Sequence, residues 1–165
     1  MLPSAARVEQ VSVVERNKTT FVIDELKPLQ TGVEPVRYRI DTEHGVVYIR
    51  LRGDLTFAAL CATEDAYLGD PDYEPGMSLY VDCRVLTAIP TREQIRKLAL
   101  DRLFRGVSMP LGPLAIVVLT PLGVEFGRAW ELFSDTAAAR VRVFTSERQA
   151  RDWLGVPAVP RWFDS

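Results

Sequence analysis

Three polar residues near the ends of predicted strands are the first candidates for a binding site. Asp82 ends the third predicted strand and is followed closely by Arg84, while Thr120 ends the fourth. The carboxyl ends of parallel strands line the crevice where ligands usually bind, so these side chains and the helix N-termini after them can converge on an anion or polar ligand. The alternative is structural, with Asp82 accepting backbone hydrogen bonds in its own loop and Thr120 capping a helix.

Three residues on predicted helices are further candidates. Thr91 stands at a helix start, where the helix dipole would favour a phosphate, but its capping-box spacing with Gln94 already accounts for it. Arg128 lies beside the apolar face of a later helix and either reaches a partner's carboxylate or extends over the core. Trp130, in the apolar stripe of the same helix, is a further candidate.

Arginines recur on one face of the first predicted hairpin. Apolar and polar residues alternate in both strands, and the four arginines are Arg37, Arg39, Arg50 and Arg52. A four-residue loop sets Asp41 opposite Val46. Arg37 then faces Arg50, and because like charges opposite each other are destabilising, the pairing can mark a surface for a partner that supplies carboxylates. The alternative is that these arginines extend into solvent.

The composition excludes several classes of function. The 165 residues carry 20 Lys and Arg against 22 Asp and Glu, and a formal net charge of −2 does not favour a nucleic-acid partner. Two cysteines and one histidine cannot form the usual four-ligand zinc sites, and no glycine-rich phosphate loop occurs, so we expect no metal and no cofactor. No apolar run approaches the roughly 20 residues that span a bilayer. Without a leader pattern, the chain is expected to be soluble and cytoplasmic.

Hydrophobic periodicity predicts the elements that must position these residues. Two alternating strands form a hairpin, and the later strands alternate with amphipathic helices. The order ββαβαβαβα predicts an α/β fold with a single mixed, mainly parallel sheet whose first hairpin is antiparallel. We expect an N-terminal arm or extra hairpin at 1–35, the α/β domain at 36–155 and an aromatic C-terminal tail at 156–165.

Six short segments carry a resemblance to a known superfamily through their order and spacing. They are Leu51–Thr56, Gly69–Tyr73, Leu79–Arg84, Ala115–Val117, Gly127–Glu131 and Val143–Phe144. The chain resembles the superfamily that groups STAS domains, shared by sulfate transporters and anti-sigma-factor antagonists, with CRAL-TRIO lipid-transfer domains. Within it, the chain is most similar to the bacterial SpoIIAA-like branch. The resemblance covers about residues 36–155 and implies a STAS-like α/β fold.

The two sides of this superfamily imply different functions. The antagonists imply a phosphorylatable serine in an Asp-Ser-Ser-Gly-like segment after the third strand. The corresponding stretch here is Ala88-Ile89-Pro90-Thr91, in which Thr91 supplies the hydroxyl but the Asp and Gly neighbours are missing. The CRAL-TRIO side implies a large apolar cavity for a ligand.

Together these observations predict a non-enzymatic, STAS-like regulatory or protein-interaction domain. Its partner would be another protein or a second copy of the chain. The alternative is a CRAL-TRIO-like carrier that binds an apolar small molecule or lipid at the strand carboxyl ends, near Asp82, Thr120 and Trp130. An enzyme would need Asp82 or Cys83 to act without visible helpers.

Overall fold

The computed structural model describes residues 36–136 and 139–159. The predicted arm at 1–35 and residues 160–165 of the predicted tail lie outside the described residues, so both stay predictions. The strands are β1 (Val36–Asp41), β2 (Val46–Asp54), β3 (Ser78–Ala88), β4 (Leu114–Val117) and β5 (Val141–Phe144). The helices are α1 (Phe57–Leu68), α2 (Arg92–Arg105), α3 (Pro121–Ser134) and α4 (Glu147–Leu154).

The five strands form one mixed sheet in the order β1-β2-β3-β4-β5. β1 pairs with β2 in antiparallel fashion, and every later neighbour is parallel. The predicted hairpin register is confirmed, because Asp41 pairs with Val46 and Arg37 pairs with Arg50. The predicted α/β class, element order and single mixed sheet are therefore confirmed.

The strand order explains which face each helix covers. β2, β3 and β4 are each followed by a helix and then by a parallel neighbour, and right-handed crossovers in one direction place these three helices on one face. The larger core cluster accordingly joins the sheet to α1 through Tyr67, to α2 through Leu98 and to α3 through Phe126. α4 follows the last strand and covers the opposite face, where Ala150 packs into a second cluster.

α3 approaches the sheet closely because two glycines face it. A Cβ at Gly123 would lie 2.9 Å from the Cys83 carbonyl oxygen, and one at Gly127 would lie 3.0 Å from a Val143 methyl. The Gly-x-x-x-Gly spacing therefore serves tight packing in this helix, as such spacing does where backbones meet. No helix in the part of the chain that the structure describes is long and apolar enough to cross a membrane.

Two predicted strand ends were wrong. β3 was predicted to end at Asp82, yet it continues to Ala88 because β2 extends to Asp54 and pairs with it along that length. β4 was predicted to end at Thr120, yet it ends at Val117, and Thr120 is the N-cap of α3 instead. Asp82 consequently lies within β3, level with the last residue of β4.

Candidate functional site

The buried Asp82 and the half-buried Arg84 form a bidentate ion pair. The Asp82 residue is 5% exposed, and its Oδ1 accepts from the backbone N–H of Arg84 at 3.0 Å and from Arg84 Nε at 2.9 Å. Arg84 Nη2 donates to Oδ2 at 2.8 Å. The hydrogen bonds to Asp82 raise the pKa of the Arg84 guanidinium, against the opposing effect of partial burial. Both carboxylate oxygens are thus engaged within the chain.

The same guanidinium reaches α4. Arg84 Nη1 lies 3.6 Å from Glu147 Oε2, and Glu147 Oε1 lies 3.5 Å from Arg151 Nε. Because α4 covers the second face of the sheet, this chain of charges ties the helix to β3. We call Asp82, Arg84, Glu147 and Arg151 the charge clamp. Its geometry includes a backbone hydrogen bond to Asp82, as the structural alternative predicted, although that bond lies within β3 and not in a loop.

Thr91 and Thr120 are both helix caps. Thr91 Oγ1 accepts from the Gln94 N–H at 3.3 Å, and Gln94 Oε1 accepts from the Thr91 N–H at 2.9 Å, which completes a capping box. Thr120 Oγ1 accepts from the Gly123 N–H at 3.1 Å. Each hydroxyl satisfies a backbone N–H that would otherwise lack a partner in the first helical turn.

Arg128 and Trp130 point to different sides of α3. Arg128 is exposed and its Nη1 lies 2.5 Å from Glu131 Oε2 on the same helix. Trp130 is 9% exposed and its ring packs edge-on against Phe126 in the larger core cluster. Asp82 packs on the opposite face of the sheet, beside α4. The structure therefore does not bring Asp82 and Trp130 together in one pocket at the strand ends.

The four hairpin arginines do not form one open surface. Arg37 and Arg39 are exposed, as predicted, but Arg50 is 4% exposed and Arg52 is half-buried. Arg50 lies on an interior strand, between Arg37 of β1 and Asp82 of β3 in the sheet register. The predicted partner surface is corrected for Arg50, because its side chain is buried on the interior strand β2 and is not open to a partner.

A cavity lies between the sheet and helices α1, α2 and α3. The space open to the centre of a water molecule is about 60 Å³, several times the roughly 10–15 Å³ that one water needs. We call it the interior cavity. Its lining side chains are mostly aliphatic or aromatic: Ile49, Leu51, Leu60, Thr63, Glu64, Tyr67, Leu79, Val81, Leu98, Arg102, Leu114, Ile116, Phe126 and Trp130. Of the predicted site residues, Trp130 alone contributes to this wall.

The charged residues of the interior cavity are themselves buried. Glu64 is 8% exposed, and its Oε1 lies 2.9 Å from Arg105 Nη1. Burial raises the pKa of Glu64, although the guanidinium groups of Arg105 and Arg102 oppose this effect. Arg102 is 4% exposed, and its Nη2 donates to the Gly112 carbonyl at 2.9 Å. Burial also raises the pKa of Tyr67, so that its hydroxyl stays protonated.

The sequence interpretation missed the polar side of this cavity, although spacing could have revealed it. Arg102 follows Ile95 by seven residues and Leu98 by four, so it lies on the apolar face of α2. Glu64 follows Leu60 by four residues on α1 in the same way. A charged residue on a buried helical face is informative because charges are rarely buried without a partner.

The remaining chemistry-bearing residues lie elsewhere. Cys83 is fully buried, and burial raises the pKa of its thiol well above the ordinary value, with the Asp82 charge adding to the effect. His44 lies in the β1–β2 turn, where its Nδ1 is 2.8 Å from Asp41 Oδ2. Among residues 36–136 and 139–159, no three metal-ligating side chains come together.

The element order and sheet topology define a mixed α/β domain of the kind that the sequence resemblance implied. Among solved structures, the chain is similar to an uncharacterized protein of the DUF3478 family with a SpoIIAA-like fold from Shewanella loihica PV-4. The two are 17% identical, the match covers 76% of this chain and 98% of that one, and the TM-score is 0.47. No family model and no curated protein matches the chain.

Proposed function

We propose that the chain is a non-enzymatic, STAS-like binding domain that holds a small, mainly apolar molecule in the interior cavity. The observation that carries this proposal is the cavity itself, which lies between the sheet and three helices and is lined mostly by apolar side chains. Ligand sites are typically concave and apolar, with a few polar groups that fix orientation. The interior cavity has this composition, with Glu64 and Arg102 as its charged residues.

This proposal moves the predicted pocket from the strand ends to the space beneath the helices. Asp82 and Arg84, which were predicted at a strand end, are engaged with each other and with α4, which leaves little of their hydrogen-bonding capacity for a ligand. Trp130 stays part of the proposed site because it lines the interior cavity.

A role without catalysis is part of the same proposal. The two residues that an enzyme would have needed are poorly placed for chemistry. Asp82 is held by Arg84, and the Cys83 thiol is buried and stays protonated, whereas the thiolate is the nucleophile. The free thiols of Cys61 and Cys83 also fit a reducing compartment, so a cytoplasmic location belongs to the proposal.

Native mass spectrometry of freshly purified protein tests the proposal. We expect a co-purified molecule bound to the wild-type chain and lost in Leu60→Phe, which adds an aromatic ring at the cavity wall. Leu132→Phe is the matched control, because Leu132 is 62% exposed on α3 and lies outside this wall. An unliganded wild-type chain that also takes up no added small apolar molecule would contradict the proposed function.

A protein-interaction role is the second candidate, favoured by apolar side chains at the end of α2. Leu100, Phe104 and Val107 are 38%, 73% and 86% exposed. Exposed clusters of this kind can mark interaction sites. Lys97 and Asp101 lie beside them on the same helix, so a second copy related by a two-fold axis would bring opposite charges together.

Sedimentation over a range of concentrations tests this second candidate. A dimer that dissociates on Phe104→Asp but persists in Leu132→Asp would support a two-fold interface at the end of α2. A chain that stays monomeric up to high micromolar concentrations would exclude it.

A further inference from the structure

The polar groups around the interior cavity differ in whether they have hydrogen-bond or ion-pair partners. The Thr63 hydroxyl donates to the Ala59 carbonyl at 2.8 Å. The Glu64 carboxylate is paired with Arg105 at 2.9 Å. The one carboxylate in the cavity wall therefore already has a cationic partner.

Arg102 has hydrogen-bonding capacity left over. Its Nη2 donates to the Gly112 carbonyl, whereas its Nη1 is buried and has no hydrogen-bond acceptor within the described part of the chain. A buried charged donor without an acceptor is unfavourable, because it has lost its hydration without replacement. Arginine keeps its charge even in such a place, so the missing partner must be an acceptor.

Tyr67 adds a second donor in the same wall. It lines the interior cavity together with Arg102, and its hydroxyl stays protonated because burial disfavours the phenolate. The wall consequently favours a ligand group with negative charge and accepting oxygens.

We propose that the ligand of the interior cavity is a small carboxylate with an apolar body, whose oxygen accepts a hydrogen bond from Arg102 Nη1. This inference rests on the proposed function and adds the chemistry of the ligand's polar end. Arg105 pairs with Glu64 at 2.9 Å and also lies 3.8 Å from Asp65. Arg102, in contrast, has no carboxylate within ion-pair distance among the described residues, which leaves Arg102 as the cation that the ligand neutralises. Guanidinium groups bind carboxylates well because their donors match the spacing of the two oxygens.

A bound water is the competing partner for Nη1. A second, smaller cavity lies next to the first, and it is lined by Arg102, Gly112 and Tyr73 among others. The space open to a water centre there is about 10 Å³, roughly that of one water molecule. A water at this point would satisfy Nη1 without any carboxylate, so the experiment must separate the two.

Isothermal titration calorimetry of the full chain at neutral pH, with hexanoate and with hexan-1-ol, makes this separation. The two probes have the same apolar chain and differ in the charged end. We expect hexanoate to bind at least about tenfold more tightly, as hydrogen bonds to charged groups allow. If hexan-1-ol binds equally or better, the carboxylate inference is overturned while the proposed function stands. If neither probe binds, both are overturned.

Two variants test whether the preference for hexanoate depends on Arg102. Arg102→Met should abolish the preference for hexanoate and leave the affinity for hexan-1-ol within about twofold, since methionine keeps an unbranched apolar stem. Arg96→Met is the matched control, because Arg96 lies on the same helix with a 52% exposed side chain, and it should keep the preference. A preference that survives in Arg102→Met would overturn the assignment. If Arg102→Met does not fold, the comparison of the two probes on the wild-type chain still decides the matter.

Discussion

The two faces of the sheet bury side chains of different kinds. Beneath α1, α2 and α3, apolar side chains from the sheet and three helices surround the interior cavity. Beneath α4, aromatic side chains meet at short distances, with Tyr48 and Tyr80 ring centroids 5.6 Å apart and those of Phe144 and Trp153 also 5.6 Å apart. The charge clamp then fixes α4 to β3.

The difference is one of packing, because the cavity lies on one face of the sheet and close aromatic contacts lie on the other. Three helices pack side by side on one face of the sheet. Their side chains do not fill all the space between the helices and the sheet, and the unfilled volume is the interior cavity. A single short helix on the other face packs against fewer residues, and its ion pairs add directional contacts. We therefore expect the α4 face to respond to substitution as a filled core and the α1–α3 face as a site with spare volume.

The largest effect is expected at Gly112, next to the Arg102 end of the cavity. A Cβ there would lie 1.9 Å from the Met77 carbonyl oxygen and 2.6 Å from that of Gly76. These are backbone atoms, so either the Gly76–Met77 backbone or that of residue 112 would have to move. Gly112→Ala should therefore lower the free energy of unfolding by about 3 kcal/mol or more, measured by urea denaturation. Gly45→Ala, where φ is +63° and space is open, should cost only about 1 kcal/mol. Equal costs would contradict the steric account.

The next effect concerns the charge clamp on the α4 face. Asp82→Asn should lower the free energy of unfolding by about 2 kcal/mol, because it removes the carboxylate that holds the partly buried Arg84 guanidinium at 2.8 Å and leaves only Glu147, at 3.6 Å. Glu131→Gln removes the carboxylate of an ion pair whose Arg128 side chain is 65% exposed, and should cost less than about 0.5 kcal/mol. Thermal unfolding of both variants measures the two losses of stability. A larger loss in Glu131→Gln than in Asp82→Asn would contradict a stabilising role of the charge clamp.

A third comparison adds one methylene to each face. Val117→Ile enlarges a side chain that is 1% exposed on the α4 face, and should cost about 1–2 kcal/mol through overpacking. Val81→Ile enlarges a side chain at the interior cavity, and should be neutral or stabilising by up to about 1 kcal/mol because burying one methylene is worth about 0.8 kcal/mol. Equal destabilisation in urea titrations would mean that the cavity has no usable space.

The smallest effect is a dependence on pH. Burial raises the pKa of Glu64 in the folded chain, so the folded state holds its proton more tightly than the unfolded state. The stability of the wild-type chain relative to Glu64→Gln should therefore fall as pH rises from about 4.3 through the folded pKa. Urea denaturation at several pH values measures this slope.

Asp41→Asn provides the control of opposite sign. Burial would raise the pKa of Asp41, but hydrogen bonds from His44 outweigh it and lower the pKa. Stability relative to Asp41→Asn should thus rise with pH between the folded pKa and about 3.9. Slopes of the same sign in the two comparisons would contradict the assigned environments.

The sheet could be predicted from the sequence because its information is local. Alternation along β1 and β2, together with the four-residue loop, determined a register that the structure confirms at Asp41 and Val46. The capping box of α2 was predictable for the same reason, because Thr91 and Gln94 lie within one helical turn of each other. Strand ends were less predictable, because the length of β3 depends on how far its partner β2 extends.

The candidate site was less predictable because it depends on contacts between distant segments. Arg50 and Arg37 look alike in an alternating strand, yet Arg50 is buried on the interior strand β2 and Arg37 is exposed on the edge strand β1. The interior cavity has no sequence signature, since its Leu, Ile and Phe residues follow ordinary core spacing. Only Glu64 and Arg102 break that pattern, and the partner of Glu64, Arg105, lies 41 residues away on another helix.

Methyl-resolved NMR during a titration with hexan-1-ol tests the central claim most directly. Ile116 and Val117 are neighbours in β4, but Ile116 lines the interior cavity while Val117 packs beneath α4. The account predicts saturable shifts at the methyl groups of Ile116, Val81 and Leu98, with those of Val117 and Val46 nearly unchanged. Shifts of equal size on both faces, or no saturable shift at Ile116, would contradict a ligand site beneath α1, α2 and α3.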